Sequence, residues 1–115
     1  MNTWYGKGRK NDAGKPRWSL LPWAEMEEVA KVLAFGAQKY APGNWKRVKD
    51  GHQRYFDAAL RHMAAIGQNE RNDAETGLNH HAHAICSLLF AFWHHRYDLK
   101  HRRANDDGPN YGDGS

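Results

Sequence analysis

Apolar residues recur at helical spacing in three stretches of the chain, and clusters of helix-breaking residues separate these stretches. The first stretch covers residues 23–40 and ends at a Pro-Gly turn. It follows Pro22, a residue that the first turn of a helix tolerates. The second covers residues 52–68 and the third residues 74–99. No repeat and no alternating strand pattern occurs. The pattern predicts an all-α fold, a small bundle of about three main helices.

The segments outside these helices have the composition of loops. Residues 1–21 contain Gly, Pro and scattered charge without periodicity, so we expect an ordered N-terminal arm. Residues 104–115 are mostly Gly, Asn and Asp and are expected to form a flexible tail. The chain is therefore interpreted as one helical domain over residues 1–103. Because 115 residues bury only a modest core, we expect a homo-oligomer.

The helix faces predict which residues are buried. An apolar stripe on the second helix consists of Phe56, Ala59, Leu60 and Met63. The expected core stripe of the third helix consists of Ala82, Ile85, Cys86, Leu89 and Trp93. The histidines near the basic end of this helix, His94, His95 and His101, are expected at the surface.

Composition narrows the class of protein. The chain has 17 Lys and Arg against 13 Asp and Glu, a formal charge of +4, and its 40% hydrophobic content excludes a disordered chain. Cys86 is its one cysteine, which excludes an internal disulfide. No apolar run suits a signal peptide or a membrane span. We therefore expect no membrane partner and a cytoplasmic location. The basic residues do not line one helix, so we do not expect a nucleic-acid polymer as partner.

Two carboxylates on the first helix are candidate metal ligands. Glu25 and Glu28 lie one helical turn apart, and such a pair can share a divalent ion. Both could instead be ordinary first-turn glutamates, which the helix dipole favours.

The strongest local signal is a cluster of acids and histidines at the start of the third predicted helix. Asp73 and Glu75 precede His80 and His83, whose imidazoles lie one turn apart and could ligate one metal or flank one substrate. His62 on the second helix could belong to the core or to such a site, and the sequence leaves this open.

Several side chains suit a nucleotide. The arginines Arg54 and Arg61 lie on adjacent turns and fit phosphate oxygens, or they form a solvated face with Asp57. The other candidate substrate-binding residues are cations, amides and aromatics in loops or beside these arginines: Lys15, Arg17, Lys39, Asn44, Trp45 and Tyr55. The aromatics could stack on a base or close the end of the bundle.

Six blocks of residues, in order, resemble a phage family. They include Asp12-x-Gly14-Lys15-x-Arg17, Gly36-Ala37-x-Lys39-Tyr40, Asn44-Trp45, Arg54-Tyr55 and Glu75-Thr76-Gly77-x-x-His80-x-x-His83. The chain is identified on these residues as a member of the dATP/dGTP diphosphohydrolase N-terminal domain family, over about residues 10–93. The family is similar in plan to the all-α MazG-like pyrophosphohydrolases.

The resemblance implies hydrolysis of a purine (deoxy)nucleoside triphosphate to its monophosphate and pyrophosphate, in phage nucleotide-pool metabolism and with Mg²⁺ or Mn²⁺. Glu28, His80 and His83 are then the expected catalytic residues. The expected metal ligands are Glu25, Glu28, Asp73, Glu75 and His80. Histidines replace the second carboxylate pair of the MazG-like plan, which favours manganese or no ion. The alternative is a phage protein that binds and sequesters a signalling nucleotide without hydrolysing it. An HD-type phosphohydrolase is disfavoured, because no contiguous His-Asp pair occurs.

Overall fold

The computed structural model describes residues 8–105, with side chains described as far as Leu99. Three α-helices make up most of this part: α1 (Trp23–Lys39), α2 (Gly51–Gly67) and α3 (His80–Asn105). Short 3-10 turns lie at Trp18–Leu20 and Asn44–Arg47. Between residues 8 and 105 there is no strand, only an isolated bridge between Asn72 and Asn79. The predicted all-α class with three main helices is confirmed.

The predicted start of the third helix was wrong by six residues. Residues 74–79 form a turn because the Asp73 carboxylate accepts hydrogen bonds from the backbone N–H groups of Glu75 and Thr76, both at 2.9 Å. Gly77 then adopts a φ of +73°, which no α-helix contains. Helix α3 begins only where the Asn79 side chain accepts a hydrogen bond from the His81 N–H at 2.7 Å.

The terminal segments are described only in part. From residue 8 to residue 17 the arm is exposed, with a turn closed by the Lys15 N–H to Asp12 carbonyl bond at 3.0 Å. Helix α3 continues to Asn105, two residues into the predicted tail. Residues 1–7 and 106–115, the rest of the predicted arm and tail, lie outside the described part. The single-domain interpretation over residues 1–103 stays a prediction.

Small residues allow the helices to approach closely. Helices α2 and α3 share the most extensive packing, and the small buried residues of these two helices include Gly51, Ala59, Ala84 and Ala91. Helix α1 packs on another side of α3, with Val29 against Ala82 and Cys86. Burial raises the pKa of the Cys86 thiol to about 12, so this side chain is a neutral, apolar part of the core.

Three expectations about burial were wrong. In the apolar stripe of α2 only Ala59 is buried, and Phe56, Leu60 and Met63 are 43–51% exposed. His94 is 6% exposed rather than at the surface, because its Nε2–H donates to the Trp45 carbonyl at 2.9 Å and its ring lies against Gly51. Ile85 and Leu89 are more than 40% exposed, since the partners of α3 lie on its other sides. None of the helices from residue 8 to residue 105 combines the length and apolarity that crossing a bilayer requires.

Candidate functional site

A cavity of about 610 Å³ opens between the C-terminal half of α1, the loop that follows it, and the facing sides of α2 and α3. Helices α2 and α3 run antiparallel, so Tyr55 lies beside Phe90 and His62 lies beside His83. Each pair is two helical turns from the other, about 10 Å along the helix axis. The cavity therefore has an aromatic region at one end and a polar region at the other.

The aromatic region is built around Trp45, which the 3-10 turn after α1 places against α3. The Trp45 ring stacks on Phe90 with centroids 4.3 Å apart and meets Trp93 edge-on at 5.3 Å. Tyr55 meets the Phe90 ring edge-on at 5.0 Å. Trp45, Tyr55 and Phe90 line the cavity, so these rings form an aromatic wall at this end.

The polar region contains a pair of imidazoles in direct contact. The Nδ1 atoms of His62 and His80 lie 2.9 Å apart, and the His62 ring stacks on His83 with centroids 4.6 Å apart. His80 Nε2 donates to the Glu70 carboxylate at 2.9 Å, which leaves His80 Nδ1 with its lone pair. A carboxylate behind a histidine is the usual support of a metal-binding imidazole.

Asp73 completes a group whose donor atoms fit a metal ion. One ligand atom from each of His62, Asp73 and His80 lies within 4.8 Å of the others, the one such group of three among residues 8–99. Ligands of an ion with bonds of about 2.1 Å lie about 3 Å apart, close to the separation of the two Nδ1 atoms. Two imidazoles and one carboxylate suit Mn²⁺ or another transition metal better than Mg²⁺.

Burial and hydrogen bonds shift the pKa of His62, His83 and Asp73 in the polar region. Burial lowers the pKa of His62 and of His83, and the neighbouring imidazoles lower them further. Burial alone would raise the pKa of Asp73, but the backbone N–H groups of Thr76 and Glu75 outweigh it, and the pKa is lowered. Near neutral pH both imidazoles are therefore neutral and the carboxylate is ionised.

A threonine holds the third histidine. Thr76 Oγ1 lies 2.7 Å from His83 Nε2 and accepts the Leu78 N–H at 3.1 Å, so the hydroxyl links the turn before α3 to the His83 ring. This hydrogen bond orients the His83 ring at the wall of the cavity.

Only one cation between residues 8 and 99 lines the cavity. Lys39, at the end of α1, pairs with Glu75 at 2.7 Å, and this hydrogen bond raises the lysine pKa. The pair joins α1 to the turn before α3 beside the polar region.

The structure brings about half of the predicted site residues to this cavity. Its lining includes seven of them: Lys39, Asn44, Trp45, Tyr55, Asp73, Glu75 and His83. His80 is buried directly behind His62 and touches it.

The other predicted residues lie elsewhere. Glu25 is exposed, and Glu28 pairs with Lys31 at 2.9 Å. The exposed cations Lys15, Arg17, Arg54 and Arg61 do not line the cavity, and Arg54 bonds instead to the Lys49 carbonyl at 3.4 Å. The roles assigned to these six residues stay predictions.

Four residues of the site were missed or left undecided by sequence reasoning. His62 was undecided, and Thr76, Ser87 and Phe90 were not assigned to a site although they line the cavity. The available signal was the row of small residues between the histidines of α3, which marks the side where a cavity can open.

The chain belongs to the family described as dATP/dGTP diphosphohydrolase, N-terminal, whose model matches residues 5–106. It is 43% identical over 100 residues to a protein of Salmonella phage PMBT28 named dATP/dGTP diphosphohydrolase. That match covers 87% of this chain but only 32% of the relative, so the chain spans about a third of the relative's length. No solved structure matches the chain.

Proposed function

We propose that this domain binds a purine (deoxy)nucleoside triphosphate in the cavity and hydrolyses it to the monophosphate and pyrophosphate. The observation that carries the proposal is the His62–Asp73–His80 group beside a cavity whose other end is aromatic. The name of the phage relative agrees with this substrate class. The natural setting would be the nucleotide pool of a phage-infected cell.

The two regions suggest how a nucleotide lies in the cavity. The base would stack at Trp45 and Phe90, with the Asn44 amide and the Ser87 hydroxyl near its polar edge. The triphosphate would then extend about 10 Å to the histidines, two helical turns away. Lys39 would leave Glu75 to contact a phosphate.

A divalent ion would be held by His62, Asp73 and His80, with Glu70 supporting His80. Such an ion offsets negative charge on the phosphates and lowers the pKa of bound water. The balance of charge in the cavity supports this, because a single lysine faces two carboxylates there, Asp73 and Glu75. A triphosphate needs additional positive charge to enter.

His83 would accept a proton from the attacking water on a ring nitrogen. Thr76 orients the ring, and burial, which lowers the pKa of His83, keeps the imidazole neutral until the proton arrives. His62, stacked on His83, excludes water from one face of this ring.

The experiment is an incubation of purified protein with dATP, dGTP, ATP and GTP in Mg²⁺, Mn²⁺ or EDTA, read by chromatography. Monophosphate and pyrophosphate are expected, most rapidly with Mn²⁺ and not in EDTA. Asp73→Asn should lose more than about 100-fold in rate, since supporting residues alone are worth about 10–100-fold. The asparagine oxygen can still accept both turn hydrogen bonds, so the fold should survive.

Glu28→Gln is the matched carboxylate-to-amide control. If α1 supplies no ligand, this variant keeps wild-type activity. A loss in Glu28→Gln but not in Asp73→Asn would overturn the ligand set and restore the Glu25–Glu28 pair. The substitutions Arg54→Gln and Arg61→Gln test in the same assay whether these arginines reach the triphosphate.

Nucleotide binding without hydrolysis is the second candidate function. The observation that favours it is that the His62–Asp73–His80 group contains a single carboxylate, Asp73. If all four nucleotides survive intact and one of them is tightly retained, this function replaces the first.

A further inference from the structure

The side of the molecule opposite the cavity carries two adjacent apolar stripes. On α2 the stripe consists of Phe56, Leu60 and Met63, and on α3 it consists of Ile85, Leu88, Leu89 and Phe92. Each of these side chains is between 42% and 58% exposed. We call these seven residues the apolar face.

Helical geometry places both stripes on the same side. In each stripe the members recur at spacings of three, four and seven residues, with Leu88 and Leu89 adjacent on α3, so they line one side of their helix. A contact across the two helices shows that the stripes lie on the same side. His52 of α2 stacks on Phe56, and its ring lies 5.6 Å from that of His95 on α3. The cavity-lining Tyr55, His62, His83 and Phe90 point away from this side.

The apolar face is almost without charge. Arg96 is the charged side chain beside it in the described part of α2 and α3, and its guanidinium lies 5.8 Å from the Phe92 centroid. Arg54, Asp57 and Arg61 lie on another side of α2. A partner that binds this surface must therefore present an apolar, uncharged surface of its own.

We propose that the apolar face binds the same face of a second copy of this chain, forming a four-helix interface around a two-fold axis. Seven large side chains, each about half exposed, offer roughly 650 Å² per copy, so a dimer would bury roughly 1,300 Å², within the range of stable interfaces. A two-fold axis pairs identical surfaces, which suits an uncharged face. The cavities then lie on the outer sides of the dimer and stay accessible.

The first measurement is the mass of the purified chain in solution by sedimentation equilibrium over about a hundredfold range of concentration. The expected mass is twice the 13.2 kDa of one chain. The melting temperature of a folded dimer should also rise with protein concentration, whereas that of a monomer is independent of it. A mass of one chain at every concentration overturns the proposal, whether or not the monomer binds vesicles of phosphatidylcholine and phosphatidylglycerol.

Three matched substitutions then locate the interface. Leu60→Glu and Leu88→Glu place a charge in the apolar face and should give a monomer. Leu20→Glu changes an exposed leucine of the N-terminal 3-10 turn and should leave the dimer intact. Dimers in both face variants, or dissociation by Leu20→Glu, would overturn the assignment of the face.

If the glutamate variants unfold, Leu60→Ala and Leu88→Ala decide instead. Each should raise the dissociation constant of the dimer at least about 10-fold while circular dichroism shows the same helix content. An unchanged dissociation constant in both would contradict the proposal.

Discussion

At the scale of single residues, the His94 side chain joins α3 to the start of α2 and to the loop after α1. Its ring occupies the space beside Gly51 at the start of α2, and its Nε2–H donates to the Trp45 carbonyl of the loop after α1. A Cβ atom at Gly51 would meet the ring itself. The glycine is thus required by the histidine, and not by its own backbone conformation.

Gly51→Ala should therefore destabilise the protein, although alanine is the better helix former. The overlap with the buried ring costs about 1–3 kcal/mol of unfolding free energy, more than the gain of up to about 1 kcal/mol in helix propensity. Urea denaturation measures the difference. Gly67→Ala, at the other end of α2, is the control and should be neutral or stabilising, because a Cβ added there would have no atom within 4 Å. Equal effects of the two changes would contradict this account.

The sequence could not predict the burial of His94. A histidine near several basic residues resembles a surface residue, and its hydrogen-bond acceptor, the Trp45 carbonyl, lies 49 residues away. For Cys86 the prediction was correct, because its helical position places it among apolar residues whichever helix packs there.

At the scale of elements, helix α3 depends on a local hydrogen bond for its starting point. Asn79 precedes the first helical residue, and its side chain satisfies the N–H of His81. The His62–Asp73–His80 group depends on where α3 begins, because His80 is the first residue of that helix.

Asn79→Ala should remove this cap and lower the unfolding free energy by about 1 kcal/mol. Asn79→Ser can still accept the hydrogen bond and should recover most of the loss. Denaturant unfolding of the three proteins measures both differences. If the alanine and serine variants are equally unstable, the cap does not set the helix boundary.

Helix boundaries could be predicted where helix-breaking residues mark them in the sequence. They could not be predicted where a side chain competes with the helix for backbone hydrogen bonds. The predicted ends of α1 and α2 agree with the structure to within one residue, because Pro42 and Gly43 follow one helix and Asp50 precedes the other. Before α3, the acids of residues 73–75 are equally compatible with a first helical turn. The Asp73 carboxylate bonds to the backbone of a turn instead, and that competition is invisible in the periodicity.

At the scale of the whole molecule, the site exists because α2 and α3 run antiparallel. His62 and His80 are 18 residues apart in the chain, yet their Nδ1 atoms are in contact. The sequence indicated His80, His83 and Asp73 through their local density, but His62 needed the helix pairing. The sequence also suggested Glu25 and Glu28 as a ligand pair from their spacing. That spacing is correct for a helix, but it does not tell which side of α1 faces α3.

Metal binding should stabilise the folded protein if the proposed group holds an ion. At about 100 times its dissociation constant, Mn²⁺ should add about 2.7 kcal/mol and raise the melting temperature by about 10 °C. His62→Gln should abolish this shift. His81→Gln, a change of an exposed histidine outside the group, should keep it. A shift that persists in His62→Gln, measured by calorimetry, would contradict the ligand assignment.

The position of Trp45 has an optical consequence. Its indole ring stacks on Phe90 in the wall of the cavity, whereas Trp18 and Trp23 are exposed to water. A purine stacking in that region would quench the emission of Trp45 and leave that of the exposed indoles unchanged. The protein thus carries an intrinsic fluorophore at the place where a base would bind. A titration of its emission would report occupancy without any label and before any bond is broken.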